Sequence, residues 1–96
     1  MSAKTQIIGM VTGMDREVCI KKFKETQELL EAAGHHVVNP VELVPEHSSW
    51  DEAMRICLKE LLTVDTVAIH PDWNLSRGAG IEVIVANALG LQIIWL

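Results

Sequence analysis

Basic residues are scarce in this sequence and do not cluster. Its 96 residues include 8 lysines and arginines against 13 aspartates and glutamates, which gives a net charge of -5. Polymeric nucleic acids need clustered positive charge, because their phosphates dominate binding. The composition therefore argues against a DNA or RNA partner. A small anionic ligand is still compatible with it, since backbone N–H groups and one arginine can hold such a ligand locally.

Cysteines are also few, and their spacing does not suggest a metal site. Cys19 and Cys57 both fall among apolar residues of helix-like segments, which is typical of small core residues. The sequence has no CxxC pair and no Cys/His group with zinc-ligand spacing. We therefore expect no metal and no cofactor, and a protein of a reducing compartment, the cytoplasm.

Long apolar runs, repeats and low-complexity segments are absent as well. The longest apolar stretch is interrupted by Glu82 and Asn87 and is too short to span a bilayer. Residues 1–6 lack the apolar core of a signal peptide. The sequence thus predicts one domain over residues 1–96 with no membrane partner. A hydrophobic content of 49% argues against disorder.

Short apolar runs alternate with amphipathic segments along the chain. We predict strands over residues 6–11, 36–39, 66–69 and 92–95, helices over about 15–33, 50–62 and 80–89, and loops over 41–49 and 70–76. Strands that alternate with helices form a parallel sheet with right-handed crossovers. The predicted fold is a three-layer α/β/α sandwich, flavodoxin-like or Rossmann-like, with four parallel strands in the order 2-1-3-4.

The spacing of apolar residues predicts which helix faces are buried. For the first helix the predicted inner stripe is Val18, Ile20, Phe23, Gln27, Leu30 and Ala33. For the second helix it is Trp50, Ala53, Met54, Cys57, Leu58, Leu61 and Leu62, after a capping box at Ser49. Among the histidines we expect His35, His36 and His47 to face solvent, and His70, at a strand end, to be a candidate site residue.

The third helix carries the most unusual feature of the sequence. Glu82 is the only ionisable side chain between Gly78 and Leu96. Burying a carboxylate without a partner is costly. Gly78 and Gly80 open the helix, and glycine-rich helix starts commonly bind phosphate. Two interpretations stay open: a carboxylate beside an anionic ligand, or an acid that stabilises the start of its own helix.

The predicted topology places a ligand site near the same helix. In open α/β sheets, ligands bind at the carboxyl ends of the strands where the winding reverses, here between the first and third strands. The loops 9–15 and 70–76 lie there. Ser76 offers a hydroxyl, Arg77 a fork suited to phosphate, and Asp72 a group that could orient a hydroxyl or carry a proton. The alternatives are that Arg77 is a surface residue and Asp72 a turn former.

Several motifs resemble one known superfamily. The segment 9–13, Gly-Met-Val-Thr-Gly, looks like the G-P-M-T-G turn of small phage and bacterial proteins of the nucleoside 2-deoxyribosyltransferase superfamily, which includes 2'-deoxynucleoside 5'-monophosphate N-glycosidases. The other matching segments are Asn39-Pro40, Trp50 with Met54-Arg55, Asp65, Pro71-Asp72-Trp73, Ser76-Arg77-Gly78-Ala79 and Glu82. The G-x-G-x-E pattern is also similar to that of nucleotide phosphoribohydrolases of the lysine-decarboxylase-like group.

The resemblance implies a role for each matching residue. It implies that Glu82 attacks the anomeric carbon of a deoxyribose and that Asp72 holds the sugar or assists the leaving base. It implies that the substrate, a nucleoside or its 5'-monophosphate, is bound by the two glycine-containing segments, with the phosphate at the helix start. These binding residues would be Gly9, Thr12, Gly13, Ser76, Arg77, Gly78 and Gly80.

The sequence also departs from this pattern, and other functions stay open. Met10 and Val11 stand where the related turn has proline and methionine, the chain has no tyrosine, and it ends at the fourth strand. Hydrolysis, transfer and binding without turnover are therefore alternatives. An FMN-binding electron carrier is a third class, although the loop 11–15 offers few donors for a phosphate.

The third helix also bears on the oligomeric state. Its apolar residues lie on more sides than one sheet can cover, and Trp50, Trp73 and Trp95 are large apolar groups for so small a domain. Exposed apolar patches usually mark interfaces. We expect a homodimer or a higher even homo-oligomer.

Overall fold

The computed structural model describes residues 3–96, and its centre is a four-stranded sheet. The strands are β1 (Lys4–Ile8), β2 (His36–Val38), β3 (Thr66–Ile69) and β4 (Gln92–Trp95). All three pairings are parallel and the order is β2-β1-β3-β4. The predicted fold class and strand order are confirmed.

Four α-helices and one 3-10 helix connect the strands. They are α1 (Arg16–Ala32), α2 (Pro40–Leu43), α3 (Trp50–Leu61), the 3-10 helix (Pro71–Leu75) and α4 (Arg77–Ala88). The longer helices begin at residues whose side-chain oxygens accept a backbone N–H three residues on, namely Asp15, Ser49 and Ser76.

The sheet has a packed layer on each side. Alternate residues of β1 point to opposite faces, as the pleat requires. Ile7 packs with residues of α1 and α2, whereas Ile8 packs with residues of α3 and α4. The same alternation holds in β3, where Ala68 belongs to the first cluster and Val67 to the second. The observed layers are thus those of the predicted α/β/α sandwich.

Several predicted boundaries are wrong. β1 spans Lys4–Ile8 rather than 6–11, because pairing with β3 ends at Ile8 and Gly9 begins a loop. Helix α2 interrupts the predicted loop 41–49, since the Asn39 side chain accepts the Val41 N–H and caps it. The 3-10 helix lies in the predicted loop 70–76. Helix α4 begins at Arg77 rather than Gly80, because Ser76 is its cap.

The predicted inner stripe of α1 is wrong in part. The buried residues are Cys19, Phe23, Thr26 and Leu30. Val18 and Ile20 lie on either side of that stripe and are exposed, as is Ala33 at the end of the helix. A face defined by an i, i+4, i+7, i+11 spacing includes Thr26, which counting apolar residues alone does not select.

Two other predicted exposures are also wrong. Leu62, the C-cap residue of α3, is 70% exposed. His35 is partly buried rather than solvent-facing, and its Nδ1 lies 2.7 Å from the Thr5 hydroxyl of β1. His36 and His47 are exposed, as predicted. Cys19 and Cys57 are buried free thiols, which confirms their prediction as core residues.

Candidate functional site

A cavity of about 340 Å³ lies at the carboxyl end of β1, beside the starts of α3 and α4. Its walls come from the loop after β1, the segment from α2 to α3, and the first turns of α4. Each wall contributes lining residues, for example Gly9, Pro40 and Ser76 in that order. The cavity thus lies at the edge of the sheet where the topology predicts a ligand site.

Glu82 forms part of the cavity wall and is 7% exposed. It lies in the second turn of α4, beyond the first-turn positions where acids favour a helix start. Burial raises the pKa of the Glu82 carboxyl to about 7, and a hydrogen bond with the Cys57 side chain counters this in part. A carboxyl with this pKa is present in both protonation states near neutral pH.

Cys57, on α3, is the side chain that counters the raised pKa of Glu82. It is 6% exposed and also lines the cavity. Burial, together with the nearby Glu82 carboxylate, raises the pKa of the Cys57 thiol to about 12. The group therefore stays a neutral thiol that can donate a weak hydrogen bond to the carboxylate. Sequence reasoning missed this pairing, although Cys57 falls on the predicted inner stripe of its helix.

The start of α4 supplies a second part of the wall. The Ser76 hydroxyl accepts a hydrogen bond from the Ala79 N–H at 3.2 Å, and both Ser76 and Gly78 line the cavity. A Cβ at Gly78 would lie 3.0 Å from the Met54 sulfur, so a glycine here permits the close approach of α4 to α3. Gly80 faces open space and does not line the cavity.

Arg77 lies outside the cavity, on a neighbouring groove. Its guanidinium stacks on the Trp50 ring, 4.3 Å from the ring centre. The groove has a volume of about 300 Å³ and shares Thr12, Trp50, Ser76 and Gly78 with the cavity. The guanidinium is thus close to the cavity without forming its wall.

The loop after β1 contributes the third part of the wall. Gly9, Val11 and Thr12 line the cavity, whereas Gly13 does not. Gly9 is required by close packing, since a Cβ would lie 2.9 Å from the His70 ring. Gly13 has a φ of +91°, a conformation that favours glycine, and it makes the turn before α1.

Asp72 does not line the cavity. Its Oδ2 lies 2.8 Å from the Lys22 ammonium, and its Oδ1 accepts the Met10 N–H at 3.0 Å. Partial burial would raise the pKa of Asp72, but the hydrogen bonds from Lys22 and Met10 outweigh it and hold the pKa below its ordinary value. The carboxylate is therefore ionised and already paired. Lys22, on α1, is a residue that sequence reasoning missed.

His70 also lies away from the cavity, on the α1 side of the sheet. Its Nε2 is 3.1 Å from the Thr26 hydroxyl, and its ring packs edge-on against Phe23 at 5.3 Å. Burial and the Lys22 charge lower the pKa of His70. The imidazole is thus a neutral core group that supports Gly9, not a ligand to the cavity.

Two further residues of the cavity wall carry charge. Arg16, at the start of α1, pairs with Glu46 of the segment before α3 at 3.7 Å. Both side chains are largely exposed, so the pair is weak. Sequence reasoning did not select them, because no motif marks either residue.

The fold and the cavity define an α/β protein with a cavity of small-molecule size at the carboxyl ends of its parallel strands. Residues 3–95 match the family described as "Domain of unknown function (DUF4406)", and the chain belongs to this family. No curated protein and no solved structure matches it. None of these comparisons tests the resemblance to the nucleoside 2-deoxyribosyltransferase superfamily, which stays a prediction.

Residues 3–96 were also compared with what a metal site and a membrane-spanning helix require. Within this range no group of three or more His, Cys, Asp or Glu side chains is placed to hold a metal ion. None of the helices in the same range has both the length and the apolar character that a membrane crossing requires.

Proposed function

We propose that this protein cleaves or transfers the N-glycosidic bond of a 2'-deoxynucleoside or its 5'-monophosphate, with Glu82 as the nucleophile. The observation that carries the proposal is a buried carboxyl, that of Glu82, which is 7% exposed in the wall of a cavity of about 340 Å³. Buried acids with a perturbed pKa cluster at functional sites. The sequence motifs around Glu82 supply the substrate class.

The proposed reaction needs a carboxylate that can form and release an ester. The Glu82 carboxylate attacks C1' of the sugar while the bond from C1' to the base nitrogen breaks, and the base leaves with the electron pair and takes up a proton. Water then hydrolyses the glycosyl ester and restores the carboxylate, or a second base attacks C1' in its place. A pKa of about 7 leaves a substantial fraction of Glu82 ionised at neutral pH.

The start of α4 fits the anionic part of such a substrate. Ser76 and Gly78 lie in the same wall as Glu82, and the free N–H groups of a helix start attract phosphate. Arg77 lies on the groove that adjoins the cavity. Thr12 lies on both surfaces. We propose that this side of the cavity receives the 5'-phosphate, which orients the sugar over Glu82.

The alternative is a nucleotide-binding module without catalysis, and one observation favours it. Asp72, the second acid that the resemblance implies, does not line the cavity and is paired with Lys22. Glu46 is the other acid in the wall, and it is exposed at the rim. A protein with one buried acid can bind a nucleotide and still lack the second group that assists the leaving base.

The setting of the protein is also a proposal. Two buried free thiols are compatible with the reducing cytoplasm. The net charge of -5 is compatible with a small nucleoside or nucleotide as the partner rather than a polymeric nucleic acid. We propose that the working form is a homodimer or a higher even homo-oligomer.

The Glu82→Gln variant tests the proposal, because it keeps the shape of the side chain and removes the nucleophile. Wild type and variant would be incubated with the common 2'-deoxynucleosides and their 5'-monophosphates, and free base measured by chromatography. We expect release by the wild type and a loss of at least about 1000-fold in the variant. Glu28→Gln, at an exposed site on α1, is the matched control and should keep full activity.

Two outcomes would contradict the enzyme assignment. Base release by Glu82→Gln at the wild-type rate would show that another group performs the reaction. No release by the wild type from any substrate, with binding of a monophosphate detected by calorimetry, would establish the binding module instead.

A further inference from the structure

We infer that Lys22 and Asp72 act together as positioning residues: they fix the loop of residues 9–13 that forms one wall of the cavity, and neither contacts the substrate. The inference rests on the proposed function for its effect on turnover. Its structural part can be tested independently, because it concerns the free protein.

The contacts form a closed ring around the backbone of one residue. The Met10 N–H donates to Asp72 Oδ1 at 3.0 Å, and the Met10 carbonyl accepts from the Lys22 ammonium at 2.8 Å. The ammonium also donates to Asp72 Oδ2 at 2.8 Å. Both polar groups of the Met10 backbone are therefore held by an ion pair, so the loop cannot turn there without breaking charge-assisted hydrogen bonds.

The ring joins three separate parts of the chain. Lys22 comes from α1, Asp72 from the 3-10 helix after β3, and Met10 from the loop after β1. The two charged side chains are 20% and 27% exposed, so solvent screens them less than a surface pair. Lys22 also contacts the Met14 sulfur at 3.2 Å, at the far end of the loop.

Few other hydrogen bonds hold the loop in place. Across residues 3–96, one hydrogen bond between backbone groups involves this loop, and it runs from the Met14 N–H to the Val11 carbonyl at 3.2 Å. Val11, Thr12 and Gly13 are exposed. Gly9, Val11 and Thr12 nevertheless line the cavity on either side of Met10. The position of this wall thus depends on the Lys22–Asp72 pair.

This arrangement gives Asp72 a different role from the one that the resemblance implies. A carboxylate that contacts the sugar or the base must reach the cavity. Asp72 does not line it, and each of its oxygens already accepts a hydrogen bond from Met10 or Lys22. Removal of the Asp72 carboxylate should therefore affect substrate binding only through the loop. Removal of the Lys22 ammonium should have the same effect.

Amide hydrogen exchange in the free protein tests the structural part. We would compare wild type with Lys22→Met, Asp72→Asn and the double variant. The amides of Met10 and Met14 are the ones in and beside this loop that donate hydrogen bonds, and we expect their exchange to rise about tenfold in each single variant, with no further rise in the double variant. Lys21→Met is the matched control, since Lys21 is the preceding residue and is 79% exposed, and it should exchange like the wild type. Unchanged exchange in both single variants would overturn the inference, whatever the activity of the protein.

The base-release assay tests the functional part. If both residues position the loop, Lys22→Met and Asp72→Asn should each raise KM several-fold with little loss of kcat, and their effects should not add. A loss of kcat in Asp72→Asn that Lys22→Met does not share would overturn the inference and make Asp72 a catalytic residue. Absence of base release from the wild type would refute the proposed function instead, and the exchange experiment would still decide the role of the pair.

Discussion

At the scale of single residues, Glu82 links the candidate site to the stability of the fold. Its carboxyl has a pKa of about 7 in the folded protein against an ordinary value of 4.5. A raised pKa means that the folded protein holds the proton more tightly than the unfolded chain does. The associated stability is present in full below pH 4.5 and is lost as the pH rises through 7.

We therefore expect Glu82→Gln to stabilise the protein in a pH-dependent way. The difference between the two pKa values corresponds to about 3 kcal/mol in the free energy of unfolding. The wild type loses this stability when Glu82 ionises, whereas the variant keeps it. Urea unfolding should show a variant more stable by roughly that amount at pH 8 and by less than about 1 kcal/mol at pH 5.

Glu60→Gln is the control of opposite sign for this experiment. The hydrogen bond from Lys4 is the main cause of the lowered pKa of Glu60, so its charged form is favoured in the folded protein. That variant should be less stable than the wild type at pH 8, and the loss should shrink as the pH falls. A Glu82→Gln variant that is destabilised at pH 8 would instead indicate that the carboxylate stabilises its own helix.

At the residue scale, the sequence indicated a buried carboxyl at Glu82, where the signal is local. Glu82 stands out because its own helix has no other charge from Gly78 onward. The pairing of Asp72 with Lys22 joins residues 50 positions apart, and no local pattern indicates it. That Glu82 and Cys57 line the same cavity likewise depends on how α4 packs against α3, and the spacing of apolar residues within one helix does not determine this packing.

At the scale of elements, the two glycines near the start of α4 have different physical roles. Gly78 faces α3, and a Cβ there would meet the Met54 sulfur at 3.0 Å and the Trp50 indole nitrogen at 3.6 Å. Gly80, half a turn further on, has no heavy atom within 4 Å of such a Cβ. Gly78 thus sets the distance between the helices, whereas Gly80 only lowers the stability of its own helix.

Replacing each glycine by alanine should separate these roles. Gly80→Ala should stabilise the protein by about 0.5–1 kcal/mol, because alanine loses less backbone entropy in a helix. Gly78→Ala should be less stable than Gly80→Ala by about 1 kcal/mol, because Met54 must move within a packed interface. Urea unfolding of the two variants in parallel measures the difference.

The same pair of variants examines the predicted phosphate contacts. Gly78 lines the cavity and Gly80 does not, so only Gly78→Ala should weaken the binding of a deoxynucleoside monophosphate. Equal stabilisation by both substitutions would show that the α3–α4 interface has room for a methyl group. Close packing of the two helices would then not explain why residue 78 is a glycine.

The helices differ in how well their sequences predict them. In α3 the inner stripe is strongly apolar, and its buried residues Met54, Cys57 and Leu61 all belong to the predicted set. In α1 the sheet-facing positions include Cys19 and Thr26, while the apolar Val18 and Ile20 face outward. The short helix α2 begins with an Asn39 cap followed by Pro40. The predicted loop 41–49 covers the residues after this pair, and the prediction therefore misses the helix.

At the scale of the whole molecule, the last helix and strand expose several large apolar side chains. Ile84 is 70% exposed, Leu89 45% and Trp95 60%. No ionisable side chain follows Glu82 in the sequence. Exposed apolar surface of this kind usually marks an interface. Self-association stays a prediction, and these exposed residues indicate where to test it.

We expect the wild type to sediment as a dimer or a higher even oligomer at micromolar concentration. Ile84→Glu places a charge on the exposed side of α4 and should shift the protein towards monomer. Leu29→Glu is the matched control, since Leu29 is 66% exposed on α1, and it should leave the oligomer intact. A monomeric wild type would refute the prediction, and dissociation by Leu29→Glu alone would place the interface on α1.

The overall architecture was predictable because the pattern repeats along the entire chain. Strand and helix alternate, and chain connectivity then restricts the strand order to few choices. The sequence did not predict which side chains meet across the sheet. His70, for example, follows β3 as expected but packs against Phe23 of α1 rather than lining the cavity.

The strand order also determines when the cavity can form during synthesis. A ribosome releases β1 first, yet β1 occupies the middle of the sheet and receives its partner β3 only after about 60 further residues. The wall that holds Glu82 emerges later still, with α4. A nascent chain can thus assemble strands β1 to β3 while its cavity lacks one side, and the cavity is complete only after α4 has packed against α3.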